Sequence, residues 1–237
     1  FKIDPSLRLR RAIHSSDTLL VHRILTSHPS LLQNPDYSPT NLSNTSLHLA
    51  SSLGHLSIVR LLVNLGHDRT LAELSLNEEH QTPLHLASAA GHTDIVHLLC
   101  SSCPWSIPRR DIRGRDALML ASREGHDTVV QLLLTFSPSG PETLLSSSDI
   151  DGNTALHFAS SNGHLLVLRT LLAAGADSEK RNVWSWTPVA YSATVQAEVY
   201  FKGLVGEVER RKAVRERVEG EKKGGAVRMV SLGDGEE

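Results

Sequence analysis

The feature that most constrains this chain is that it repeats itself. SLHLASSLGHLSIVRLL (residues 46–62), TPLHLASAAGHTDIVHLL (82–99), DALMLASREGHDTVVQLL (116–133) and TALHFASSNGHLLVLRTLL (154–172) follow one pattern. The threonine or aspartate that opens each copy falls at 45, 82, 116 and 154, in steps of 37, 34 and 38 residues. A fainter copy, LRLRRAIHSSDTLLVHRIL, occupies 7–25, and a decayed one, SWTPVAYSATVQAEVYFKGL, occupies 185–204. A unit this short cannot hide its apolar face alone. Stacking on neighbours hides it, so self-similarity at a period in the thirties predicts a linear array held by nearest-neighbour contacts.

Each unit reads as two short antiparallel helices. In the third copy Thr82 is a helix N-cap and Pro83 suits the first helical position, where its missing N–H costs nothing. Leu84 and Ala87 share a helical face, Gly91 suits a left-handed helix end, and Ile95, Val96, Leu98 and Leu99 form the apolar face of a second helix. The polar residues then read as structural. His48, His85 and His157 share one position, which Met119 fills in the fourth copy. A catalytic or metal-ligating histidine would not alternate with methionine. His55, His92, His126 and His164 follow the turn glycines Gly54, Gly91, Gly125 and Gly163. Asp149 and Asp151 resemble a carboxylate dyad, but DIDGNT matches DIRGRD at 111–116 and reads as a turn.

T-P-L-H-x-A at 82–87 is the signature of ankyrin repeats, and the chain resembles ankyrin-repeat proteins over residues 5–205. The resemblance implies an all-α solenoid of about five to six helix-turn-helix repeats with hairpin-like loops and a C-terminal capping helix. The repeats fall near 5–37, 43–76, 80–110, 114–148 and 152–181, with a partial copy at 185–205, inside an ankyrin-repeat domain spanning 1–205. Residues 206–237 are expected to be a charged helix and a disordered tail. In this family the histidine of the signature links the loops of adjacent repeats by hydrogen bonds, which is the role implied for His48, His85 and His157.

Bulk properties narrow the function classes. A net charge of −2, with 24 Lys and Arg against 26 Asp and Glu, argues against nucleic-acid binding. No apolar run reaches a membrane span, and Lys2, Asp4, Arg8, Arg10 and Arg11 leave no apolar stretch for a signal peptide. Cys100 and Cys103 lack the further ligands of a zinc site and the context of a redox motif. No nucleophile elbow, zinc-protease, P-loop or dinucleotide motif occurs. No catalytic residue, cofactor, metal or small-molecule substrate is expected, and the repeats leave no room within these residues for an enzyme domain. Phe1 stands where an initiator Met would, which leaves open a chain that continues before it.

The departures from regularity carry the rest. The long steps add length between helix pairs, at 34–44, 70–81 and 137–148; the last, SPSGPETLLSSS, reads as a loop. Ser38-Pro39 and Ser137-Pro138 have the form of sites for proline-directed kinases. Arg10, Arg11 and Arg23 give the first copy a polar outer face. A helix from Val195 to about Val218 is expected to pack Val199, Leu204, Val205 and Val208 on the last repeat, with a disordered tail beyond Gly220. Partner contacts are expected at loop tips and helix ends: Arg113, Arg115, Arg123, Glu124, Asp151, Asn153, Asn162, Trp184 and Trp186, beside Glu78, Glu79, Ser52, Leu53 and Ser161. Trp186 fits equally well beneath the last repeat.

Two end segments, 5–36 and 185–212, together with NLGHDRT at 64–70, resemble the fungal ankyrin-repeat accessory subunits of TOR complex two. That resemblance implies a non-catalytic protein-interaction scaffold in a kinase assembly of growth signalling. Its partner would be that complex, and its location cytoplasmic, reaching the plasma membrane only through the complex. The alternative is an ankyrin adaptor of a transcriptional, proteasome-assembly or ubiquitin-ligase complex, for which RRKAVRER at 210–217 is a weak nuclear signal.

Overall fold

A computed structural model of the chain describes residues 4–33, 43–68 and 74–230, with the backbone alone at 212, 215, 216 and 218–230. Among these residues there are twelve α-helices and no strand. They run in pairs: α1 (Pro5–His14) with α2 (Thr18–Ser27), α3 (Ser46–Leu53) with α4 (Leu56–Asn64), α5 (Pro83–Ala90) with α6 (Thr93–Ser102), and α7 (Ala117–Glu124) with α8 (Asp127–Phe136). A short α9 (Pro141–Ser146) follows, then the pair α10 (Ala155–Ser161) and α11 (Leu165–Ala173), and finally α12 (Val195–Val230). First helices stack as α1, α3, α5, α7 and α10; second helices stack as α2, α4, α6, α8 and α11. This is the solenoid that the repeat period demands.

Equivalent positions do equivalent work. Leu47, Leu84, Leu118 and Leu156 are buried, as are Ala50, Ala87, Ala121 and Ala159 one turn on; Ile58, Ile95, Val129 and Val167 face them from the second helices. Each large aliphatic side chain taken from water contributes roughly 2 kcal/mol, and each does so against the next repeat as well as its own. The alanines let the stacked helices approach closely. Ser51, Ser88 and Ser122 are also fully buried, and their hydroxyls have no hydrogen-bond partner. Ser88→Ala therefore removes an unsatisfied polar group and should stabilise the chain by about 1 kcal/mol, read as a higher urea midpoint.

Four expectations need correction. The 137–148 insertion is not all loop: Pro141 opens α9, whose Leu144 and Leu145 are buried in the core. Arg10 is turned inward, donating from Nη2 to the Asn44 carbonyl at 2.7 Å, so the polar face of the first repeat is carried by Arg11 and Arg23. On α12 the inward residues are Ala197, Phe201, Leu204, Val205 and Val208, while Val199 is exposed. Helical backbone also continues past Gly220 to Val230. No proline interrupts this stretch, and each of its glycines, Gly220, Gly224 and Gly225, costs a helix about 1 kcal/mol without removing a backbone hydrogen bond. Ser38-Pro39 and residues 231–237 lie outside the described residues. The sixth copy forms no helix pair: Thr187-Pro188 opens only a 3-10 turn, Val189–Tyr191, before α12 packs on α11.

Candidate interaction surface

The histidines form two ladders between repeats. His48 Nε2 lies 2.8 Å from the Gln81 carbonyl, His85 Nε2 3.3 Å from that of Arg115, and His157 Nε2 3.1 Å from that of Trp186. A carbonyl only accepts, so Nε2 carries the proton in each. Nδ1 is then left to accept from the backbone N–H of Thr45, Thr82 and Thr154. One neutral imidazole thus caps its own helix and grips the next loop. Burial pushes His48 and His85 down to about 4 and lowers His157 as well, in keeping with neutral rings. The second ladder runs the other way. His92, His126 and His164 donate from Nε2 to the carbonyls of Ser52, Ala89 and Arg123, at 3.1, 3.1 and 2.9 Å, satisfying helix ends that would otherwise lack donors.

The fourth repeat solves the same problem differently. Asp116 Oδ1 accepts the Met119 N–H at 2.9 Å, but burial holds this carboxyl up at about 6. Its Oδ2 meets no donor in hydrogen-bonding geometry, although Ser147 and Arg110 lie near enough to favour the charged form in part. The two cysteines are buried, which pushes their thiols up to about 12 for Cys100 and about 11 for Cys103 and keeps them protonated. Among the described residues no group of three His, Cys, Asp or Glu side chains is placed to hold a metal ion.

Between helix pairs the chain makes one turn four times. Asn77, Asp111, Asp149 and Asn182 each accept, through Oδ1, the N–H groups two and four residues on, at 2.7–3.1 Å. The fourth residue of each turn, His80, Gly114, Gly152 or Ser185, has positive φ. Successive turns are tied by backbone bonds of one form: Ile112 N–H to Glu79 O, Ile150 N–H to Arg113 O, and Val183 N–H to Asp151 O, at 3.0, 3.0 and 2.9 Å. Asn182 Nδ2 also donates to Asn153 Oδ1 at 2.9 Å. The loops therefore form a continuous edge.

That edge sorts the predicted contact residues. Arg113, Trp184 and Trp186 are exposed on it; Trp186 leans edge-on against Tyr191, with 53% of its surface in solvent, and is not tucked beneath the last repeat. Asp151 is half-buried beside them. Arg115 is not exposed on the edge. Only 8% exposed, it holds Asp111 Oδ2 through Nε and Nη2 at 2.8 and 2.6 Å, closing its own turn. Asn153, at 7%, is likewise a turn-to-turn link. Arg123 and Glu124 pair with each other at 2.8 Å, and Asn162 is exposed with its amide on the Phe158 carbonyl. Arg115→Ala should cost about 3 kcal/mol, because it strands the buried Asp111 carboxylate. Arg113→Ala should change stability by less than about 0.5 kcal/mol; chemical denaturation compares the two.

The main surface feature was missed by the reading from sequence. Ile112, Ile150 and Val183 occupy the second position of consecutive turns and are exposed, Ile150 by 67%. With Trp184 and Trp186 they form an apolar row along the loop edge. The signal was present: aligning D-I-R-G-R-D, D-I-D-G-N-T and N-V-W-S-W-T puts a β-branched apolar residue second in each.

With stacked helix pairs, histidine links and a loop edge in place, the class is defined: this chain belongs to the ankyrin-repeat family. The family model described as ankyrin repeats, in three copies, matches residues 9–111 and 103–182. Among solved structures, EF0377, an ankyrin repeat protein, is similar with a TM-score of 0.69 and 23% identity, over 86% of this chain and 98% of that one. Among curated proteins, the target of rapamycin complex 2 subunit AVO2 of Saccharomyces cerevisiae is 42% identical over 66 residues. That match takes in 28% of this chain and 15% of the relative, so the chain is aligned with a small part of that protein.

Proposed function

We propose that this chain is a non-catalytic scaffold, an accessory subunit of the TOR complex two assembly in growth signalling. Its contact surface is the loop edge at Ile112, Arg113, Ile150, Val183 and Trp184. Ankyrin repeats imply protein partners. The observation that carries the finer assignment is the 42% identity with the AVO2 subunit, which the likeness of the two end segments supports. Trp and Arg are the usual anchors of a protein interface, and the exposed isoleucines and valine beside them would leave water on binding. A rigid edge binds without paying to order loops. A cytoplasmic location, at the plasma membrane only through the complex, belongs to the same proposal.

The test is affinity purification of the tagged full chain, followed by mass spectrometry, beside the double variant Ile150→Asp/Trp184→Ala. The wild type should recover the TOR kinase and its complex-two partners. The variant should lose them by about tenfold or more while unfolding within about 2 °C of the wild type. Recovery of cullin, proteasome-assembly or chromatin components instead would point to an adaptor elsewhere, and equal recovery by both proteins would remove the loop edge from the interface.

A further inference from the structure

The first repeat carries more positive than negative charge. From residue 4 to 33 there are four arginines, Arg8, Arg10, Arg11 and Arg23, against Asp4 and Asp17, in a protein of net charge −2. Both carboxylates are committed. Asp4 accepts the N–H and hydroxyl of Ser6 at 3.2 and 2.6 Å, which hold its carboxyl below the usual range, and Asp17 accepts the Leu20 N–H at 2.9 Å to cap α2. Arg10 is directed at the Asn44 carbonyl. Arg8 from α1 and Arg23 from α2 are exposed and flank a hollow of about 130 Å³ whose other walls are Pro5, Leu20, Ile24, Ser27 and His28. Neither arginine has an ion-pair partner among the described residues. Ser27 gives its hydroxyl proton to the Arg23 carbonyl, so the donor-bearing side chains left among the lining residues are Arg8, Arg23 and His28.

Two guanidiniums without an ion-pair partner, carried by different helices on the walls of one hollow, give it a positive potential that favours an anion. One carboxylate would neutralise only one of them. A phosphomonoester carries roughly −1.5 to −2 at neutral pH and offers three acceptor oxygens, which suits two planar guanidinium forks. The remaining walls are largely apolar and fit the hydrocarbon of a neighbouring side chain. A small hollow with two arginines at its walls is the wrong shape for a membrane surface, which is met by a broad basic face. It also lacks the aromatic platforms that hold single-stranded nucleic acid. We infer that the hollow between α1 and α2 receives a phosphorylated serine or threonine side chain of a partner protein, clamped between Arg8 and Arg23.

This site lies on the first repeat, on residues other than those of the loop edge, and does not rest on that edge being an interface. The test uses the purified full chain and fluorescent pools of short peptides with a central phosphoserine between two leucines, beside pools with serine or glutamate at that place. The phosphoserine pool should bind saturably, about tenfold or more tighter than either other pool. Arg8→Gln/Arg23→Gln should remove that preference without moving the unfolding temperature, since both side chains are exposed. Ile150→Asp/Trp184→Ala should leave it intact, which separates this site from the loop edge. Equal binding of all three pools, no binding of the phosphoserine pool, or unchanged binding by the arginine double variant would each overturn the inference. So would arginine-dependent binding to vesicles containing phosphatidylserine without phosphopeptide binding, which would assign the hollow to a membrane.

Discussion

Gly91→Ala is expected to destabilise the chain by about 3 kcal/mol, far more than the one methyl group added would suggest. Gly91 ends α5 with φ of 76°, in the left-handed region where a Cβ costs roughly 1 kcal/mol. The larger part comes from the next repeat. A Cβ on Gly91 would stand 2.6 Å from Cε1 and Nδ1 of His126, whose Nε2 is fixed on the Ala89 carbonyl at 3.1 Å. The ring must give up that bond and its packing, about 2 kcal/mol more. Gly66 is the control: φ is 96° and nothing lies within 4 Å of its Cβ direction, so Gly66→Ala should cost only the backbone part, roughly 1 kcal/mol. Urea denaturation of the two variants isolates the contact between repeats. Equal losses would mean that the glycine is present for its backbone alone.

Asp116→Asn is expected to stabilise the protein by about 2 kcal/mol at pH 7 and to give no gain near pH 4. Burial raises this carboxyl to about 6 from an ordinary value of 3.8, so the folded state favours the protonated form. Its stabilising contribution is complete below 3.8 and is lost as pH rises through about 6. Asparagine keeps the acceptor for the Met119 N–H without the charge. His48 and His85 have the opposite sign. Their folded values near 4 lie below the ordinary 6.5, so their contribution is complete above 6.5 and is lost as pH falls towards 4, roughly 3 kcal/mol for each ring. Between pH 6.5 and 4 the wild type should therefore lose net stability, with Asp116 offsetting part of the loss. The asparagine variant should lose more over the same interval. Denaturation at pH 7, 5.5 and 4 checks both slopes.

What the sequence makes legible is whatever depends on repetition. Thr82, His85 and Gly91 can be assigned roles because Thr45, His48 and Gly54 stand in the same order thirty-seven residues earlier. The structure returns those roles as caps, links and left-handed helix ends. The opacity begins inside the turns. Arg115 and Arg113 look alike in DIRGRD, yet the turn closes through Asp111. That directs the fifth residue inward onto the carboxylate and leaves the second and third outward. Ile112, Ile150 and Val183 are opaque for the same reason, since an apolar residue in a turn has no assigned side until the turn geometry is known. Pro141 and the two leucines of α9 were hidden in a stretch rich in serine, where composition argues for loop and only burial argues for helix. Val199 is two residues off the packed face, which runs through Ala197 and Phe201; its apolar character alone does not reveal that register.

The proposed contact surface exists only if consecutive turns are locked into one edge by backbone bonds from each repeat to the one before. Amide hydrogen exchange at Ile112, Ile150 and Val183 tests this directly, because each is an exposed residue at a loop tip whose N–H is nevertheless bonded to the preceding turn. Protection of about a hundredfold or more at all three amides is predicted. Exchange at the rates of an unstructured loop would contradict the stacked edge, and with it the surface assigned to partner binding.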